Sequence, residues 1–154
     1  MRPTTREEWT LRRQRLQLVH DRLARVPEEQ FYWSVWARSD SLTAPTDPEF
    51  SCGTQACVMG YAATIPELNL VGLRLKWVKI PENGGGGTFH YGAFIRVTAA
   101  NGTEIHTGGF SAAFNLFFLS EEEAEKLCYG AGGREVAMDL LQSLIQVGER
   151  QEQL

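Results

Sequence analysis

Between Leu73 and Thr107 apolar residues alternate with polar ones, while on both sides of that segment they recur every three or four residues. One regular element cannot satisfy both periods, because strand side chains repeat every two residues and helix side chains every 3.6. Leu73, Leu75 and Trp77 alternate with Arg74 and Lys76, as in a half-buried strand. Val78-Lys79-Ile80 shifts the apolar phase by one, which predicts a bulge. A flexible turn at 81–87 follows, then alternation through Phe89, Tyr91, Ala93, Ile95 and Val97. Asn101-Gly102 is the favoured two-residue hairpin turn, and Thr103 to Thr107 returns. The segment predicts a three-stranded antiparallel meander over 70–107.

The flanks predict helices. Thr5-Arg6-Glu7-Glu8 has the form of a capping box, and Trp9, Leu16, Val19, Leu23 and Val26 follow at helical spacing up to Pro27. A helix is expected over about 5–25. Phe31 to Ala37 is aromatic-rich and expected to be largely buried, and 39–48 reads as a surface loop. A second helix is expected from Gly53 to before Pro66, with Ala56, Gly60 and Ala63 on one stripe where a neighbouring backbone can come close. Ser111 is read as the cap of a short helix. Ser120 with Glu123 forms a second capping box, with Gly130 as an αL stop, and Val136 to Val147 define a last amphipathic helix. The order α, α, βββ, ααα predicts one α+β domain, helical over 1–66 and 110–154.

Composition narrows the function. Hydrophobic residues are 43% and charged ones 22% of 154 residues, enough to build a core without a metal or disulfide staple. No apolar run approaches the ~20 residues that span a bilayer, and the charged start of the chain lacks the apolar core of a secretory signal. The expected setting is the cytoplasm, with the three cysteines reduced. Net charge is -4, yet residues 1–25 hold seven arginines against Glu7, Glu8 and Asp21, a balance of +4, leaving -8 for the rest. The basic helix face is read as lying against the protein's own acidic surface. Without interleaved aromatics on that helix, nucleic-acid binding is not expected.

The block Ser51 to Ala62 concentrates the chemical candidates. Cys52, ahead of an expected helix start, can serve as a nucleophile with His90 or His106 as base. Cys52, Cys57, His90 and His106 are zinc-compatible ligand types, but a five-residue cysteine offset turns the second side chain away from the first. Packing is the favoured reading of Cys57 and Cys128. Gly53 and Thr54, as a helix start, can offer backbone N–H groups to a phosphate or carboxylate. Trp77, His90, Tyr91 and Arg96 on the meander supply the cation and stacking surfaces a nucleotide needs, with His90, Gly92, Phe94 and Arg96 sharing one face.

The chain resembles a group of short proteins encoded by phages, plasmids and bacterial genomes. The resemblance rests on Val26-Pro27, Phe31 to Trp36, Cys52-Gly53-Thr54-Gln55-Ala56-Cys57-Val58-Met59-Gly60-Tyr61-Ala62, and Ala112 to Leu127. It covers roughly half the chain, and the strands from Leu70 to Thr107 read as an elaboration. It implies a small soluble protein of mobile-element type and carries no catalytic residues or cofactor. Together these readings lead to an expectation: a non-enzymatic, cofactor-free inhibitor of a host defence process. It captures a small anionic or nucleotide-like ligand through Gly53, Thr54, Trp77, His90, Arg96 and His106. The alternatives are a protein–protein inhibitor of a host enzyme and a Cys52-dependent hydrolase. Strand edges leave room for a homo-oligomer.

Overall fold

The computed structural model describes residues 2–47, 49–50, 53–81, 88–105 and 108–154. Helix α1 spans Arg6–Ala24 and starts at the expected box: Thr5 Oγ1 accepts from the Glu8 N–H at 3.1 Å, and Glu8 Oε2 accepts from the Thr5 N–H at 3.3 Å. Leu16, Val19 and Leu23 face the core. The long last helix, α6 (Arg134–Glu152), packs against α1. Between them come α2 (Val58–Ala62), α3 (Pro66–Leu70), α4 (Gly109–Leu116) and α5 (Glu121–Cys128).

The fold is α+β, with an antiparallel sheet larger than the meander. Its strands are β1 (Ala37–Ser39), β2 (Thr54–Ala56), β3 (Leu73–Lys79), β4 (Tyr91–Thr98) and β5 (Glu104–Ile105), with β2-β1-β4-β3 side by side. Along its other edge β4 is shared between β1 at 91–93 and β5 at 97–98. Between β4 and β5 the expected two-residue turn is instead a three-residue loop over 100–102: the Ala99 N–H donates to the Thr103 carbonyl at 2.8 Å, and Gly102 takes a φ of 87°. β3 pairs with β4 in unbroken register from Leu73↔Val97 to Lys79↔Tyr91. The expected bulge at Val78 is therefore absent. β3 is an edge strand, and Arg74, Lys76 and Lys79 give it the charge that discourages edge pairing.

One sheet face is built for close packing. A row of Ala56, Ala37, Ala93 and Trp77 crosses four strands, with Leu75 and Ile95 beside it. All three alanines are buried, and Trp77 meets Phe50, which meets Tyr61 of α2. Here the expected helix from Gly53 is corrected. Residues 54–56 pair with β1, and helical geometry begins only at Val58. The strand sits where it can satisfy its backbone through the 37–39 segment, which a helix there would leave without a partner. Gly60 has the role its stripe suggested. A Cβ there would lie 1.7 Å from the Trp36 carbonyl oxygen and 2.8 Å from the Ala56 Cβ.

Two smaller corrections concern helix ends. Gly108, not Ser111, precedes α4. Gly130 does not take a positive φ, since Tyr129 caps α5; instead, a Cβ on Gly130 would lie 2.6 Å from Trp33 Cη2. The basic face of α1 does lie against the protein's own acids, with Arg13 on Glu152 at 2.8 Å, Arg25 on Glu49 at 3.0 Å and Arg12 on Glu123. Arg12 is fully buried. Its guanidinium holds both Glu123 oxygens at 3.0 and 2.8 Å, donates to the Phe118 carbonyl at 3.2 Å and lies over the Trp9 ring. Glu123 is also the third helical residue of the Ser120 capping box, so one carboxylate fixes the start of α5 and its distance from α1.

Two predictions follow from these contacts. Burial alone raises the Glu123 carboxyl, but hydrogen bonds from Arg12 and Ser120 outweigh it and hold the group at about 2 against an ordinary 4.5. The folded value lies below the unfolded one, so this stabilisation is present above pH 4.5 and is lost as pH falls toward 2. The urea midpoint should drop through that window, and Glu123→Gln should abolish that share of the drop. The variant should also lose about 3 kcal/mol at neutral pH, because Arg12 stays buried without its counter-ion. Gly60→Ala should destabilise toward the upper end of the ~1–3 kcal/mol typical of overpacking, with an unchanged urea m-value. A neutral result would show that the Trp36 backbone can yield.

Candidate functional site

The other face of the sheet carries a groove. Alternation turns Gln55, Arg38, Gly92 and Val78 to this outer face, as a second row across the same four strands. Ile80, which follows β3, reaches the same place, 3.8 Å from where a Gly92 Cβ would stand. Glycine at 92 therefore leaves an open floor. Trp33, Trp36, Tyr129, Val78, Ile80 and Phe94 line a cavity of about 640 Å³ that Arg38 and Phe89 also border. Its volume and largely apolar lining with a few polar groups fit a small-molecule site.

Arg38 is the best-organised polar group in it. Its guanidinium lies 4.3 Å from the Tyr32 ring centre and 4.1 Å from that of Phe89. Nε and Nη2 donate to Gln55 Oε1 at 2.9 and 2.7 Å, and Gln55 in turn donates to the Glu29 carbonyl at 3.0 Å. Two rings and an amide thus fix the plane of the cation. No salt bridge to Arg38 forms among the described residues, and its Nη1 makes no hydrogen bond among them. A rigid cation with no counter-ion among the described residues, beside an aromatic-walled cavity, can receive an anion without first being ordered.

The residues expected from sequence to bind do not come together. Gly53 and Thr54 do not begin a helix. Thr54 is buried in β2 and donates from Oγ1 to Ser39 Oγ at 3.1 Å. A Cβ on Gly53 would lie 2.1 Å from Asp40 Oδ1, so a carboxylate already stands where an anion was expected. Trp77 points to the packed face, away from Arg96. Arg96 is on the outer face but only 15% exposed, with its Nε 3.7 Å from Glu104 Oε1. His90 is exposed beside Ile80, one row beyond Gly92, with its N–H on the Ser39 carbonyl. Cys52 and His106 lie outside the described residues, and with them the expected nucleophile and one expected base.

Sequence reasoning missed Arg38, Tyr32, Trp36, Phe89 and Tyr129. Residues 31–37 are less buried than expected: Phe31 and Ala37 are in the core, but Tyr32 is 40% exposed and both tryptophans are only half-buried. The missed signal was the alternation of Trp36 and Arg38 about the buried Ala37. Among the described residues no three His, Cys, Asp or Glu side chains gather as a metal site, and no helix is long and apolar enough to cross a membrane. No protein-family model, curated protein or solved structure matches this chain.

Cys57 and Cys128 are buried free thiols, and burial pushes them up to about 11 and about 12. Thiolate is the reactive form. Peptide-mapped iodoacetamide labelling at pH 7.5 should therefore leave both unmodified in the folded protein and modify both in urea. Rapid labelling of either while folded would overturn this assignment.

Proposed function

We propose that this chain is a non-enzymatic binding protein that captures a small, anionic, nucleotide-like ligand in the outer-face groove. The observation that carries the reading is Arg38, clamped between Tyr32 and Phe89, without a carboxylate partner among the described residues and at the edge of an aromatic-walled cavity. A planar ring fits over the Gly92 floor beside Trp36, and a phosphate or carboxylate then meets Arg38 Nη1. Compared with the sequence expectation, the ligand class is the same, while Arg38 and Trp36 take the parts given to Arg96 and Trp77. The resemblance to short mobile-element proteins supplies the setting. Such a protein acts in the cytoplasm of a host cell and withholds the ligand from a host process such as defence.

Thermal unfolding with a panel of nucleoside mono- and diphosphates, the parent nucleosides and inorganic phosphate tests the reading. At a hundredfold excess over Kd, a ligand bound only by the folded state stabilises by about 2.7 kcal/mol. At least one nucleotide should do so, and its nucleoside should bind far more weakly. Arg38→Ala should weaken binding at least tenfold, as expected for a hydrogen bond to a charged group. Gly92→Leu should block the floor while leaving the fold intact, since no atom lies closer than 3.8 Å to the site of its Cβ. No shift across the panel, or full binding by Gly92→Leu, would overturn the proposal.

A further inference from the structure

The outer face holds more positive charge than one small ligand can use. Moving along β3 and β4 away from the groove, the outer-face pairs are Val78 with Gly92, Lys76 with Phe94, and Arg74 with Arg96. Phe94 is 56% exposed, and Lys76 and Arg74 are exposed as well. Neither Lys76 nor Arg74 forms a salt bridge among the described residues; Glu104 pairs with Arg96. Arg74, directly opposite Arg96 in the register, is the exposed member of that pair and carries the charge an anion can meet. The last pair lies four residues along the strand from Gly92, about 13 Å at ~3.3 Å per residue. That is beyond the phosphate of a nucleotide whose base sits in the groove. An exposed aromatic ring stands between the two cationic positions.

We propose that the outer sheet face binds a single strand of nucleic acid. One base sits in the groove beside Arg38, the next stacks on Phe94, and the phosphates that follow lie on Lys76 and Arg74. Single strands present base planes to aromatic side chains and phosphates to cations along one track. A duplex hides its base planes, and an acidic peptide would use the cations but leave the Phe94 ring without a stacking partner. The acidity of the whole chain does not oppose this, because charges beyond about 8–10 Å are largely screened at physiological salt. The placement of the first base rests on the groove reading above, and Phe94 is shared with it as a lining residue; the Lys76 and Arg74 track does not depend on it.

Fluorescence anisotropy of the full chain with labelled single strands of one, two, four and eight nucleotides, in RNA and DNA, provides the test. Affinity should rise at least tenfold between one and four nucleotides. Log affinity should fall with log salt by about 0.7 per phosphate contacted. The double variant Arg74→Gln, Lys76→Gln should lose the gain with length and flatten the salt slope by about 1.4, with mononucleotide binding unchanged. Phe94→Ala should weaken the longer strands without changing the slope. Mononucleotide binding with no gain in length would overturn this inference and leave the groove reading standing. No binding of any strand or nucleotide would overturn both. Equal binding of duplex, or displacement by polyglutamate at matched charge, would show attraction by charge alone and overturn the single-strand assignment.

Discussion

The approach of Gly60 to the Trp36 carbonyl sets the distance between the helical layer and the sheet. With no side chain at 60, α2 comes down onto the backbone just before β1, and the Trp36 oxygen also receives the Cys57 N–H at 3.4 Å. That contact fixes where β1 begins. β1 then pairs with β2 on one side and β4 on the other, so the register of three strands follows from it. The three-alanine row fits the same short spacing, because larger side chains would push the layers apart. The opposite side of the same residues is the groove. Trp36 contributes its carbonyl to the packing contact and its indole to the groove wall, which ties the geometry of the site to a buried glycine on another element.

A second constraint acts at the far side of the helical layer. Arg12, Glu123 and Ser120 join α1, α5 and the chain before it through charge-assisted bonds, with Arg12 fully buried and Glu123 partly so. Phe118, whose carbonyl accepts from Arg12, holds a φ of 51°, a region that non-glycine residues seldom adopt. The α5 helix ends at Cys128 and Tyr129, which line the groove. The ion pair that holds the start of α5 thus helps position the aromatic wall at its end.

The parts of the fold legible in the sequence are those written in local chemistry. Both capping boxes are fixed by residues three apart, and the place of the turn at Asn101-Gly102, though not its length, by two neighbours. The meander's period needs only seven or eight residues to show itself. β1 and β2 escaped because each has three residues, too few for a period, and each exists only through partners distant in the chain. Ala56 and Gly60 misled in an instructive way: their spacing suits a helix, yet they meet across a strand-to-helix step. The phase shift at Val78 is real but is not a bulge. Val78 and Ile80 are apolar on the outer face because they line the groove, so the break in alternation marked the site and not a distortion of the strand. Gly53-Thr54 failed as an anion site for a related reason. A helix start was inferred from small polar residues, while Asp40, which excludes an anion there, is brought in only by the pairing of β1 with β2.

Net charge is a poor guide to what this surface attracts. Seven arginines at the start of the chain suggest a basic helix, but Arg12, Arg13 and Arg25 are matched by Glu123, Glu152 and Glu49 from elsewhere in the sequence. Those acids are spent within the fold. Arg38, Arg74 and Lys76, which form no salt bridge among the described residues, come from two strands, β1 and β3, and look unremarkable in the sequence. Strand alternation puts all three on one face, and antiparallel pairing sets them beside Gly92 and Phe94. The same alternation that buries three alanines on one face therefore presents a cationic, aromatic surface on the other. The functional face and the packed face are two consequences of one register, and a one-residue slip would exchange them.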